Sequence, residues 1–330
     1  MGFHGNGTAL DTMESWSTRR RDAEEVGPLL PGDGASMTSP TRERIAVVCR
    51  APSLRLRSRA MRRYDLDSLD NRDPALMERL VGFIELIGRR YFRATVKGVE
   101  RVPPGAALYV GNHSGGLMTP DTFLFCAALY RAHGIDAVPY GLGHEVAIAL
   151  PIIHQIIVPL GAVRASHDNA HNLFARGRKV LVYPGGDVDS MRPYHDRDRI
   201  VFDGRRGYIR LALREGVPIV PVVSAGGHST FRVLDDGRWL ARALGADRLL
   251  RIKVWPIALS IPWGLTIGPA FLYLPWPTRI LIEVLEPIRF DRHGEEAAAD
   301  EDYVAACAER VETAMQSALA RLAGERSARG

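Results

Sequence analysis

One stretch constrains the fold of this chain more than any other: Ala107-Leu-Tyr-Val-Gly-Asn112-His113-Ser-Gly-Gly-Leu-Met-Thr119-Pro120-Asp121. Residues 107–110 form a short apolar run of the kind a buried strand requires. The run empties into a glycine-containing turn that carries Asn112 and His113. The next element opens at Thr119-Pro120-Asp121. Threonine serves as N-cap, proline is preorganised for the first helical position, and aspartate lies at the positive end of the helix dipole. Residues 122–130 then read as a largely buried helix. Such a strand–loop–helix unit presents a histidine at the carboxyl edge of a sheet, with an acid at the mouth of the following helix. Open α/β sheets bind their ligands at that edge. Histidine titrates near neutrality, and a carboxylate on one ring nitrogen leaves the other to accept a proton. The position between strand and helix, in a loop kept bare by glycines, favours chemistry over a histidine that only caps backbone groups.

Two further strand ends carry polar or glycine-rich turns. Residues 179–183 read as a strand that breaks at Pro184-Gly185-Gly186, whose amides have no side chains above them. Such amides approach a phosphate or a developing oxyanion closely. Residues 217–223 form another strand and lead into Ser224-Ala-Gly-Gly-His228, where His228 is read as structural. Asp187-Val-Asp189 spells the pattern with which two carboxylates grip a divalent ion, although no second metal-ligating cluster accompanies it. Arg192 in the same loop either offers positive charge to acceptor or coenzyme phosphates or pairs with the neighbouring aspartates. No G-x-S-x-G elbow occurs, which counts against an α/β-hydrolase.

In order and spacing, Asn112-His113 with Asp121, Tyr183-Pro184-Gly185-Gly186 and Val217-Pro-Ile-Val-Pro-Val222 resemble the glycerolipid acyltransferase family. The Pro-Gly-Gly form resembles the branch that includes diacylglycerol acyltransferases. The resemblance spans roughly residues 95–290. It implies an α/β fold, a mixed, largely parallel sheet flanked by helices, like that of glycerol-3-phosphate acyltransferases. It also implies an enzyme that moves a fatty acyl group from acyl-CoA, or an acyl carrier protein, to a hydroxyl of a glycerolipid such as lysophosphatidate or diacylglycerol. No cofactor is implied beyond that co-substrate. On this resemblance His113 is the base and Asp121 its partner. The family motif matching residues 161–167 ends in a basic residue that holds the acceptor's head group or phosphate. Arg164 and His167 are the two candidates, and a guanidinium is the better phosphate ligand because its fork is bidentate and permanently charged. Pro184, Gly185, Gly186 and Arg192 complete the implied substrate-binding set.

The chain departs from the pattern in two places. Seven residues separate His113 from Asp121, more than in the family's first motif. Gly185 and Val188 also stand where the third motif usually has glutamate and arginine. The longer loop either folds out and returns Asp121 to His113 or leaves the histidine with another partner. Two other function classes stay open: a lipid-binding protein on the same scaffold, and a metal-dependent glycosyltransferase resting on Asp187 and Asp189.

Composition sets the remaining bounds. A chain of 330 residues, 46% of them hydrophobic, suits one large domain with extensions. Cys49, Cys126 and Cys307 are scattered and odd in number, which argues against a disulfide framework or a zinc site and for a reducing compartment. The first forty residues lack a signal pattern and read as disordered. Residues 42–63 carry eight arginines and one acid, Glu43, with Ile45, Val47, Val48, Leu54 and Leu56 between them. This segment is either a strip that lies on an anionic membrane or a solvated linker. No aromatic residue interleaves its arginines, so nucleic acid is not an expected partner. No window offers the ~20 uninterrupted apolar residues of a membrane-spanning helix. Residues 249–277 place Trp255, Trp263 and Trp276 among five prolines and read as an apolar wall for acyl chains at a membrane, or as ordinary core. The expected setting is the cytoplasmic face of a membrane, held peripherally or monotopically, with acyl-CoA and a lipid acceptor as partners. The oligomeric state is left open. The expected divisions are a leader with its basic segment (1–72), an acyltransferase domain (73–292), and a C-terminal helix and tail (293–330).

Overall fold

The apolar run at 107–110 becomes the middle of a seven-stranded sheet. A computed structural model describes residues 63–245, 254–268, 270 and 273–328. The expected disordered leader, all but the last residue of the basic run, and part of the Trp-rich segment lie outside the described residues. The strands are β1 (Thr95–Lys97), β2 (Ala107–Gly111), β3 (Tyr140–Gly143), β4 (Ala162–Arg164), β5 (Lys179–Val182), β6 (Ile219–Ala225), β7 (Arg232–Asp235), β8 (Ile257–Ser260), β9 (Gly264–Ile267) and β10 (Leu281–Val284). The main sheet has the order β1-β10-β6-β2-β5-β3-β4. β6, β2, β5, β3 and β4 run parallel, whereas β10 is antiparallel to β6 and β1 follows β10. The fold is therefore α/β, with the mixed, largely parallel sheet the sequence implies.

Every residue of β2 is buried because both sheet faces are covered. Leu108 and Val110 point into one core with Val180, Val182, Tyr208 and the final helix, Glu301–Ala328. Ala107 and Tyr109 point into the other, where the Tyr109 ring meets Phe125 edge-on at 5.4 Å. Phe125 lies on the Pro120–His133 helix, which opens where the Thr-Pro-Asp signal places it. The Pro74–Arg90 helix begins as its sequence directs, with Asp73 Oδ1 accepting from Leu76 N at 3.0 Å and proline in the first turn.

Elsewhere the elements shift for local reasons. β3 starts only at Tyr140, because Ile135–Ala137 closes a 3₁₀ turn and Pro139 has no N–H to give a ladder. β1 is confined to Thr95–Lys97, since Gly98 turns the chain at φ +78. The polar loop expected at 187–195 contains a short helix, Gly186–Ser190. The segment expected as an apolar wall contributes two strands of a separate antiparallel sheet, β7-β8-β9.

The closing helix, Glu301–Ala328, packs into the shared core. Val304, Val311, Met315, Leu319 and Leu322 recur at helical spacing, and all are buried in the cluster that contains Leu108 and Val110. Leu319 is fully buried. Leu319→Ala should cost about 2–5 kcal/mol in urea denaturation while the protein still unfolds in one transition. A separate early transition for the helix would contradict its place in the shared core.

Candidate active site

Three parallel neighbours deliver the site. β5, β2 and β6 lie side by side with the same direction, so the segments that leave their carboxyl ends share one edge. β2 leads into Asn112-His113, β5 into Tyr183-Pro184-Gly185-Gly186, and β6 into Gly226–Thr230. Asn112 is buried and fixes the ends of β2 and β6 together. Its Nδ2 donates to Ser224 O at 2.9 Å and its Oδ1 accepts from Ser224 N at 2.8 Å. The carboxamide thus imitates one more peptide rung between β2 and β6, and the chain enters the histidine loop from a fixed point.

His113 is held at both its backbone and its ring. Its N–H donates to Asp189 Oδ2 at 2.6 Å. The ring sits 4.9 Å from that of Tyr183, whose hydroxyl hydrogen-bonds Thr122 Oγ1 at 2.5 Å. Its Nδ1 lies 2.8 Å from Ser114 O, an atom that can only accept, so Nδ1 carries the proton and Nε2 keeps its lone pair. Burial lowers the imidazole's pKa. The Ser114 carbonyl and the Asp121 charge work against that shift, and Arg192 adds to it. The ring is therefore neutral at pH 7.

Asp121 is buried at the mouth of its helix, where Oδ1 accepts from the Ser114 hydroxyl and from Thr122 N. Among the described residues no direct hydrogen bond joins the His113 ring to Asp121. The seven-residue spacing resolves into an arrangement with Ser114 between them: its carbonyl holds Nδ1 and its hydroxyl holds the carboxylate. The carboxylate reaches the imidazole through its field.

The extra length of the loop is anchored. Gly116 N donates to Ser190 O at 2.9 Å, and Met118 N donates to Tyr273 Oη at 2.9 Å. A Cβ on Gly115 would stand 2.5 Å from His228 O, and one on Gly227 would stand 2.5 Å from Asp121 Oδ2. The two loops approach this closely only as glycines. His228 is buried and donates from Nε2 to Arg192 O at 2.8 Å, while burial drives its pKa well below the ordinary value. Its role here is structural, as the sequence suggests.

The other sequence candidates fall into different places. Arg192 is not poised for a phosphate. It is buried, pairs with Asp189, and spends further donors on Asp189 O, Asp196 O at 3.1 Å and Arg197 O at 2.9 Å. Asp187 pairs with Arg205 at 2.8 Å, so the two carboxylates of the D-x-D pattern are each committed to a different guanidinium. Pro184 and Gly185 present carbonyls to Arg205 at 3.3 and 3.0 Å, and Gly186 gives its N–H to Tyr183 O at 3.1 Å. The Gly186 amide is thereby spent within the turn. Arg164 ends β4 at the margin of the sheet, three strand spacings or about 14 Å from β2. It pairs with Asp67 at 3.1 Å and Glu145 at 3.4 Å. His167 opens the next helix, just after its cap Ser166. Among the described residues no hydrogen bond joins Arg164 or His167 to the histidine loop. A cleft lined by Ile200, Arg206, Glu309, Glu312 and Gln316 likewise shares no residue with that loop.

Sequence reasoning missed Ser114, Arg205, Tyr273 and the backbone-holding role of Asp189. Only Asp189 carried a signal, as one half of a metal pattern or as a partner for Arg192, and neither announced its hold on the His113 amide. Asp189 is fully buried and Asp187 is not. Asp189→Asn leaves Arg192 buried without its counter-charge and should cost about 3–5 kcal/mol, measured by urea unfolding. Asp187→Asn, in a partly solvated pair, should cost no more than about 1 kcal/mol. Equal costs would remove Asp189 from its central position.

Comparison with known proteins bears on this geometry. The family model for diacylglycerol acyltransferase matches residues 89–309. An uncharacterized protein of Mycobacterium tuberculosis is 29% identical over 299 residues, 90% of this chain and 80% of its own length. The 2-acylglycerol O-acyltransferase 3 of Homo sapiens is 25% identical over 161 residues, 46% of this chain and 47% of its own. The crystal structure of a 1-acyl-sn-glycerophosphate acyltransferase from Thermotoga maritima covers 76% of this chain and 84% of its own, with a TM-score of 0.45 and 18% identity. With the family match running from the end of the first helix through the main sheet into the final helix, the chain belongs to the diacylglycerol acyltransferase family of acyltransferase enzymes.

Proposed function

We propose that this protein moves a fatty acyl group from acyl-CoA, or an acyl carrier protein, to a hydroxyl of a glycerolipid acceptor at a membrane surface. The observation that carries the reading is the hold on the His113 ring, whose Nδ1 lies 2.8 Å from Ser114 O and so leaves the Nε2 lone pair free of that contact. Burial, which lowers the ring's pKa, favours the neutral form. Nε2 takes the proton of the acceptor hydroxyl as its oxygen bonds to the thioester carbonyl carbon. The carbon–sulfur bond then breaks, and the imidazolium returns the proton to the departing thiolate. Asp121 stabilises the imidazolium through its charge rather than through a direct bond. No covalent acyl-enzyme is needed, and atoms balance with CoA–SH and the ester as products.

A neutral acceptor of the diacylglycerol kind suits the site better than lysophosphatidate. Arg192 and Arg205, the arginines beside the histidine loop and the Pro-Gly-Gly turn, are committed to protein carboxylates and carbonyls. Arg164 stands at the sheet margin between two carboxylates of its own.

His113→Ala should lower kcat by about 10²–10⁴-fold with an unchanged melting temperature, because the ring supplies a proton acceptor rather than core packing. Asp121→Asn keeps the Ser114 and Thr122 contacts and should lose less. In the wild type, kcat/KM should be flat above neutrality and fall as pH drops through the histidine's lowered pKa. Release of CoA from labelled acyl-CoA with a panel of glycerolipid alcohols is the measurement. Full activity in both variants would take the proton acceptor's role away from His113, and a wild type that releases no CoA would leave a lipid-binding protein on this scaffold.

Arg164→Ala separates the acceptor classes. With diacylglycerol its kinetics should match the wild type, and lysophosphatidate should be the poorer acceptor in both. A selective rise in KM for lysophosphatidate, on the scale of a charged hydrogen bond (about 1.5–3 kcal/mol), would return the phosphate site to Arg164.

A further inference from the structure

The small sheet β7-β8-β9 shows apolar side chains on both of its faces. In an antiparallel ladder, directly opposed residues project to the same side. The pairs Leu259↔Leu265 and Ile257↔Ile267 therefore place four large aliphatic residues on one face. The alternate residues, Val233 and Ala258, are fully buried on the other face against Phe231 and Tyr273. An antiparallel sheet with one solvated face ordinarily turns polar residues outward. Here Leu265 is 61% exposed, Ile267 65%, and Trp263 at the β8–β9 turn 62%. Contiguous apolar surface of this kind marks an interaction site.

The border of the patch identifies its partner. Arg232 is opposed to Leu259, so it lies on the same outer face, and its guanidinium stands 4.9 Å over the Trp276 ring. The Arg238–Ala243 helix, which follows β7, exposes Trp239 and carries Arg238 and Arg242. Asp235, opposed to Ile257, shares the outer face and Arg238 pairs with Asp236 at 2.9 Å, so the border carries both signs. Aliphatic residues at the centre, Trp263 at the turn and Arg232 over Trp276 match the boundary between acyl chains and lipid head groups.

We propose that the outer face of β8 and β9, with Trp263 leading, is a lipid-docking surface. The proposal deepens the acyl-transfer reading and takes its purpose from it. Tyr273, which packs in the core beneath this sheet, holds the Met118 N–H of the histidine loop. The docking face and the histidine loop are thus joined through Tyr273.

The test uses the full chain and flotation with phosphatidylcholine–phosphatidylglycerol vesicles. The wild type should float. The triple variant Trp263→Ser, Leu265→Ser, Ile267→Ser should lose about tenfold or more in partitioning, the scale expected for three apolar side chains returned to water. Ile267→Glu alone should act in the same direction, and circular dichroism should show both variants folded. Phe83→Ser with Leu86→Ser, which removes exposed apolar groups from the first helix, should float like the wild type. Wild-type protein that stays at the bottom overturns the proposal, as does a triple variant that floats undiminished. A wild type that is dimeric without vesicles and becomes monomeric in the triple variant assigns the face to a second copy and overturns it too. Acyl transfer to a detergent-dispersed acceptor, measured in parallel, should be retained by the triple variant. Flotation through the hairpin without any transferase activity would uphold the surface and overturn the acyl-transfer reading instead.

Discussion

A single buried carboxylate ties the three strand ends together. Asp189 has no exposed surface, and a buried charge persists only when paired and fully hydrogen-bonded. Arg192 supplies the counter-charge and hands its remaining donors to backbone carbonyls of its own loop. The second oxygen of Asp189 accepts from the backbone of His113, after β2. The carbonyl of Arg192 in turn accepts from His228, after β6. A chain of bonds thus runs from one loop through the segment after β5 to the other. Removing any member leaves a buried polar group without a partner, so the arrangement is held as a unit.

The histidine's electrostatics follow from this framework. A carbonyl on Nδ1 selects the tautomer but offers no full counter-charge to an imidazolium, unlike a directly bonded carboxylate. Burial and the neighbouring Arg192 keep the ring neutral, while Asp121 opposes them from behind Ser114. The result is a ring available as a proton acceptor at neutral pH, with a carboxylate near enough to lower the energy of the protonated form. The longer first loop changes how the acid reaches the base without moving the acid from its helix N-terminus.

The central sheet and the convergence of its loops were legible in the sequence because they depend on short-range signals. Apolar runs at 107–110, 180–182 and 219–223 specify strands buried on both faces, and Thr119-Pro120-Asp121 starts a helix whatever lies around it. What was not legible depends on partners distant in the chain. The sequence left Asp189 between a metal pattern and a pair with an arginine, and Arg192 between phosphates and the neighbouring aspartates. The His113 amide and the carbonyls of the loop decide for the pair. Tyr273 lies 155 residues from the backbone group it holds, and no local pattern announces such a bond. Trp, Pro and Leu at 249–277 announced an apolar segment, but their pairing into strands needed the register with β7.

The small sheet is joined to the site by its core. Met191, beside Arg192 in the loop after β5, packs in the same cluster as Phe231, Val233, Ala258 and Tyr273. One side of that cluster is therefore built from the segment that positions Asp189, and another from the hairpin that exposes Trp263. A cluster this small cannot lose one wall and keep the other in place, because its side chains are close-packed rather than fluid. Load placed on the hairpin reaches the histidine loop by two routes, through Tyr273 to Met118 and through Met191 to Asp189. Met191 and Tyr273 thus tie the small sheet to the segments that hold His113 through the side chains of one packed cluster.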